Sequence, residues 1–291
     1  MQRLLACCWL ALYALTAQAA VSVLDASGQR LTLPRPAQRI VSLSPHATEM
    51  LYAIGAGPRV VATVGYSNYP PAARQLPRVG AYSGISLEAV LRQQPDLVVA
   101  WQDGGNPREL ERLRQLGVAV FISHPVQLDD VATEMQRLGQ LSGTAAQAEA
   151  AARGYRQRLA ALRQRYARRV PLSVFYQISA APIFTVSQRS FVGSVIQLCG
   201  GRNVFGKLGQ AAPQVSIEAV VAARPQVMLA GRADILPMWD RWPALPAVAA
   251  HTRYVLDEAL LAIPGPRLPQ GADALCATLD TARRRLGLTL D

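Results

Sequence analysis

The chain has 291 residues, 51% hydrophobic and 17% charged, an ordinary globular composition that excludes a disordered or fibrous protein. Its length exceeds what one compact core usually organises, so two domains are expected. The formal net charge of +11 is almost all arginine scattered along the sequence. Even its densest run, "RQRLAALRQRYARR" at 156–169, has the spacing of a solvated helix face, so no nucleic-acid partner is expected.

The opening "MQRLLACCWLALYALTAQAA" reads as a secretory leader. Arg3 is a short positive region, 4–15 an apolar run, and Ala17-Gln18-Ala19 a small-x-small cleavage site. Residues 1–19 are expected to be removed, placing a bacterial chain in the periplasm. The apolar run is too short for a spanning helix. Cys7 and Cys8 precede most of it, which argues against a lipid anchor. Cleavage leaves Cys199 and Cys276, 77 positions apart. In an oxidising compartment two cysteines suggest one disulfide, two buried thiols being the alternative.

Strand and helix signals then alternate. "QRIVSLS", 38–44, reads as a strand ending in a Ser-Pro turn, "HATEMLYAIGAG" as a helix closing on Gly55 or Gly57, and "RVVATV", 59–64, as the next strand. The loop "GYSNYPP" follows. Ser86 caps a helix over 87–93, Pro95 stops it, and "DLVVA" is a strand. "PRELERLRQLG" is a helix with Pro at its start and Gly at its end, and "VAVFIS", 118–123, a further strand. A proline-free helix is predicted over 144–169, about 40 Å long at 1.5 Å per residue. The pattern then restarts with strand 172–179, helix 190–201, helix 217–223, strand 226–230, strand 253–257 and helix 270–286. One phrase occurs twice, "SLEAVLRQQPDLVVA" at 86–100 and "SIEAVVAARPQVMLA" at 216–230. Such repetition describes two similar α/β lobes with parallel sheets, Rossmann-like, joined by one long α-helix. The expected division is 20–143, 144–169 and 170–291. Two lobes offer a cleft for a ligand.

In open α/β sheets ligands bind beyond the carboxyl ends of the strands. The turns there hold Tyr66, Tyr69, Tyr82, Trp101 and Phe184, in a chain only 6% aromatic. Each could pack under its own loop; all five doing so is a poorer account. No catalytic set stands out. His46, His124 and His251 are isolated, Ser44 before His46 reads as a helix cap, and neither a nucleophile elbow nor a phosphate-binding loop occurs. No metal cluster is spaced for binding. A binding protein without resident cofactor is expected, not an enzyme. Glu88 and Glu218 each stand second in a helix after a Ser cap, where an acid complements the helix dipole by about 0.3–1 kcal/mol. In matching places on two lobes, they could also seat arginines of a two-fold-symmetric partner.

With these residues in view, the chain resembles the periplasmic cobalamin-binding proteins of bacterial importers, in the helical-backbone class of substrate-binding proteins that includes haem and ferric-siderophore receptors. The motifs are "RIVSLSPHATEML", "YSNYPP", "LEAVLRQQPDLVVAW", "LCGGRNVF", "PQVSIEAVVAARP" and "ALC" at 274–276, and the likeness spans 38–287. The resemblance implies that Tyr66, Trp101 and Phe184 contact a corrinoid. It implies that Cys199 pairs with Cys276. It implies that Glu88 and Glu218 dock on arginines of a dimeric ABC permease carrying its ATPase, the receptor itself being a monomer. Tyr82 stands where the family has a tryptophan. Ala211-Ala212-Pro213 replaces an expected aromatic before "PQVS", and "DEALLAIP" makes a more apolar second lobe. The alternatives on the same scaffold are a haem receptor, with Tyr82 or Tyr66 as an axial iron ligand, and a siderophore receptor that sets its arginines against an anionic chelate.

Overall fold

The computed structural model describes residues 20–81 and 84–289. The expected leader and Tyr82 therefore lie outside the described residues. A hairpin of β1 (Val21–Leu24) and β2 (Arg30–Leu33) comes first. The first lobe follows with β3 (Ile40–Ser42), α1 (Pro45–Ala53), β4 (Val60–Thr63), the short pair β5 (Gly80–Ala81) and β6 (Gly84–Ile85), α2 (Leu87–Arg92), β7 (Leu97–Trp101), α3 (Pro107–Gln115) and β8 (Val120–Ser123). Then come α4 (Asp130–Ser142) and α5 (Ala145–Tyr166). The second lobe holds β9 (Leu172–Gln177), α6 (Phe191–Leu198), β10 (Gly201–Asn203), α7 (Ile217–Ala223), β11 (Val227–Ala230), α8 (Pro246–Ala249), β12 (Arg253–Val255), α9 (Glu258–Leu261) and α10 (Leu268–Arg285).

The two sheets share one topology. The first runs β4-β3-β7-β8 and the second β10-β9-β11-β12, all pairs parallel. Numbered within each lobe, both orders are 2-1-3-4. The central strands are buried along their length because helices cover both faces, so they read as continuous apolar runs. The repeated phrase supplies the third strand of each sheet and the helix before it.

The repetition extends to single atoms. Ser86 Oγ accepts from Ala89 N and Ser216 Oγ from Ala219 N, both at 3.2 Å. Gln94 and Arg224, equivalent in the phrase, both take left-handed backbone with φ of 47° and 45° before a proline. The next equivalent pair, Asp96 and Gln226, anchors the first strand of its lobe. Asp96 accepts from the amides of Gln38 and Arg39, and Gln226 Oε1 from the amide of Ser173.

The helix predicted over 144–169 is observed as 22 residues, about 33 Å long. Its apolar stripe, Ala148, Ala152, Tyr155, Leu159, Leu162 and Tyr166, is buried. It packs against α4 from the first lobe and against α6 and α10 from the second. One hydrophobic core therefore runs from the first lobe along α5 into the second, while the far face of each sheet has its own cluster. Sequence reading left 124–143 without a helix. α4 fills that gap, closing on Gly143 at φ 67° and lying close to α5, where a Cβ on Gly139 would overlap that of Ala148.

Cys199 at the end of α6 is bonded to Cys276 in α10. Beside them Arg283 is fully buried yet satisfied. Its guanidinium donates to the carbonyls of Val170, Cys199 and Gly200 and pairs with Asp280 at 2.7 Å. The end of α10 is thus tied to the turn before β9 and the turn after α6.

Candidate functional site

The carboxyl ends of both sheets meet at a cleft of about 270 Å³. From the first lobe it takes Trp101 at the end of β7, with Asp103 and His124 in the adjoining turns. From the second it takes Tyr176 and Ile178 at the end of β9, with Arg189 and Phe191 where α6 begins. Glu258 and Pro264 close one side. In a 2-1-3-4 sheet the order reverses between the first and third strands, and a crevice opens there. Trp101 ends the third strand and Tyr176 lies near the end of the first strand of the other lobe, so both stand beside such a crevice.

Trp101 borders a second recess as well. This hollow of about 190 Å³ lies within the first lobe and has an apolar floor that includes Leu43, Val64, Ile85 and Leu110. Tyr66 lines it with Trp101 and is 78% exposed. Gly104 folds back on Trp101, where a Cβ would stand 2.5 Å from the indole Cε3. Only glycine lets the backbone approach the ring so closely.

Behind Trp101 lies a buried polar chain. The His46 ring meets the indole edge to face, centroids 5.6 Å apart. His46 Nε2 is 2.8 Å from Ser123 Oγ, and Ser123 donates to Glu134. Glu134 also accepts from the amide of His124 at 2.7 Å. Burial first, and then the charge of His124, hold the His46 imidazole down to a pKa of about 3. Burial pushes the Glu134 carboxyl up. With its proton committed to Glu134, Ser123 can accept only from a His46 Nε2–H. That is the reverse of a nucleophile activated by histidine. Ser44, the other candidate hydroxyl, caps α1 by accepting from Ala47 N at 3.4 Å. The chain's chemistry here is positioning, not turnover.

Phe184 is half-buried where the chain bridges to Gln214. Its neighbours Ile178 and Val186 line the cleft, whereas Phe184 itself stands outside that lining. Tyr69 is drawn away from the cleft and stacks under the Arg267 guanidinium at 3.9 Å. Arg267 also makes a two-pronged pair with Glu49, at 2.9 and 2.5 Å. Glu49 belongs to α1 in the first lobe and Arg267 precedes α10 in the second, so this pair bridges the lobes.

Glu88 and Glu218 stand on the surface, away from the cleft, at equivalent positions of α2 and α7. Glu88 is held by Arg92 at 2.6 Å. The Glu218 carboxyl is lowered by its own backbone amide and by Ser216. Sequence reading missed Asp103, His124, Tyr176, Arg189 and Phe191. The first two follow strand ends and satisfied the rule that found Trp101. Asp103 was passed over by a search for aromatics, and His124 was set aside as an isolated histidine.

Comparison with known proteins gives three kinds of likeness. Residues 40–260 match the family model described as periplasmic binding protein. A protein of Vibrio cholerae named vitamin B12-binding protein is 40% identical over 258 residues, covering 88% of this chain and 94% of that one. The crystal structure of the periplasmic vitamin B12 binding protein BtuF of Vibrio cholerae superposes with a TM-score of 0.79 at 41% identity, covering 85% of this chain and 98% of that one. The apo form of the periplasmic heme-binding protein RhuT from Roseiflexus superposes with a TM-score of 0.76 at 27% identity, covering 84% and 98%.

Proposed function

This chain belongs to the periplasmic binding protein family, and on that premise we propose that it captures cobalamin or a related corrinoid between its lobes and delivers it to an ABC importer. The observation that carries the reading is the cleft itself. It lies between two lobes, has Trp101 and Phe191 on opposite walls, and sits in a fold 40% identical in sequence to a vitamin B12-binding protein. Aromatic and aliphatic walls suit the broad apolar faces of a corrin, and Asp103, Arg189 and Glu258 suit its amide rim. Trp101 and Tyr66 would meet the ligand from the first lobe, joined by Tyr82. Phe184, just outside the cleft lining, would meet the rim of a ligand larger than the cleft.

Residues 1–19 act as the cleaved leader in this reading. Residues 20–143 and 170–291 are the lobes, with 144–169 between them. The monomeric receptor sets Glu88 and Glu218 on a dimeric permease. Calorimetric titration of the mature chain tests the reading. Cyanocobalamin is expected to bind at nanomolar level, which needs about 12 kcal/mol of net binding free energy. Heat and a shifted Soret band with haemin, alongside silence with cyanocobalamin, would reassign the cleft to haem.

A further inference from the structure

His124 and Asp103 share the first-lobe wall of the cleft with Trp101. They follow β8 and β7, which are adjacent parallel strands, so both stand at the open carboxyl edge. The backbone of His124 is fixed by Glu134, which accepts its amide at 2.7 Å. The ring is fixed by Asp103, whose Oδ2 lies 3.0 Å from Nε2. A carboxylate can only accept, so in the neutral ring the proton belongs to Nε2 and Nδ1 keeps a free lone pair. An imidazole with one ring nitrogen held by a carboxylate is the arrangement found in metal-ligating histidines. Among the described residues, however, no group of three or more donors could hold a free ion. A single nitrogen suffices only for a metal whose other positions a macrocycle already fills.

We propose that His124, oriented by Asp103, supplies an axial nitrogen to the cobalt of corrinoids whose lower position is open, so that the cleft takes incomplete, cobinamide-type corrinoids by coordination. The inference rests on the cleft being a corrinoid site. The step is a ligand exchange. The Nδ1 lone pair displaces one water from cobalt(III), the water leaves to solvent, and no electron is transferred. The Nε2 proton stays in its hydrogen bond to Asp103. The opposite wall fits this division of labour. The Tyr176 hydroxyl is buried without a hydrogen-bond partner among the described residues. Burial first, and then the charge of Glu258, push its ionisation well above the ordinary phenol range. That buried hydroxyl is suited to a hydrogen bond with a side-chain amide of the corrin.

The experiment titrates diaquacobinamide and, separately, cyanocobalamin into the mature chain and records visible spectra. Diaquacobinamide is expected to bind with its main bands displaced to those it shows with free imidazole. His124→Ala should lose that displacement and about tenfold or more of cobinamide affinity. Asp103→Asn, which keeps the ring but weakens its brace, should bind with a partial displacement. Binding by the parent chain with an undisplaced spectrum overturns the proposal, as does a full displacement in His124→Ala. If cyanocobalamin binds and cobinamide does not, this proposal alone falls. If neither binds, the corrinoid reading falls with it.

Discussion

Protonating a buried imidazole costs free energy, and His46 pays it wherever the folded chain meets acid. Its pKa is held near 3, below the ordinary 6.5, by burial and by His124. The unfolded chain therefore binds a proton that the folded chain refuses between those values, and stability falls as pH drops through that window. Each unit of displacement corresponds to about 1.4 kcal/mol, so the full effect is several kcal/mol, fully present above pH 6.5. Glu134 works the other way. Its raised carboxyl favours the folded chain below the ordinary carboxylate pKa and opposes it as pH rises. Urea denaturation at pH 7 and pH 5 is expected to show a lower midpoint at pH 5, with His46→Asn flattening the difference. An equal drop in the variant would mean that other groups carry the pH dependence. The residue has a purpose beyond stability, since its ring supports the edge of Trp101.

Elements carry the repeat. The helices α2 and α7 begin with the same cap and place Glu88 and Glu218 two positions beyond it. Under the proposed docking role, reversing both charges to lysine should abolish importer-stimulated ATP hydrolysis and leave the Kd for cobalamin unchanged. Stimulation that survives the double reversal would assign these acids to the helix dipole alone. At this scale much of the molecule could be read in advance. Caps, prolines and closing glycines mark α2, α3 and α7, and apolar runs mark β7, β9 and β11. What escaped had physical causes. β10 is three half-exposed or exposed residues, Gly201–Asn203, with no apolar pattern of its own and is a strand only because β9 pairs with it. α4 contains Gly139, a poor helix former whose value is the close approach to α5. In the site, Trp101 and Tyr66 were marked by being aromatic in a turn. Tyr176 sits inside a strand, and its orphaned hydroxyl is visible only once the lobes are assembled.

For the whole molecule the informative pair is Glu49 with Arg267. The two side chains are only 3% and 17% exposed and join residues 218 positions apart. Glu49 helps hold the guanidinium charge, and Tyr69 covers its face. Removing one partner of such a buried pair leaves the other charge unmatched, at a cost of about 3–5 kcal/mol. Arg267→Ala is therefore expected to lower the unfolding midpoint. If the clasp holds the two walls of the cleft in register, its loss should also raise the dissociation rate of cobalamin by about tenfold. Glu49→Gln added to Arg267→Ala should recover stability without restoring slow dissociation, as stopped-flow and thermal unfolding would show. Unchanged dissociation in both variants would make the pair purely structural.

A body attached to another at one place can swing in any direction; attached at two, it turns only about the line through both. The helix α5 is one attachment and the Glu49–Arg267 clasp the other. The lobes then behave as a door on two pins and not as jaws on a swivel. The rim of the cleft sweeps along a single arc, and points near the pin line scarcely travel. Drawing one pin leaves the door hung, but free to sag out of its frame.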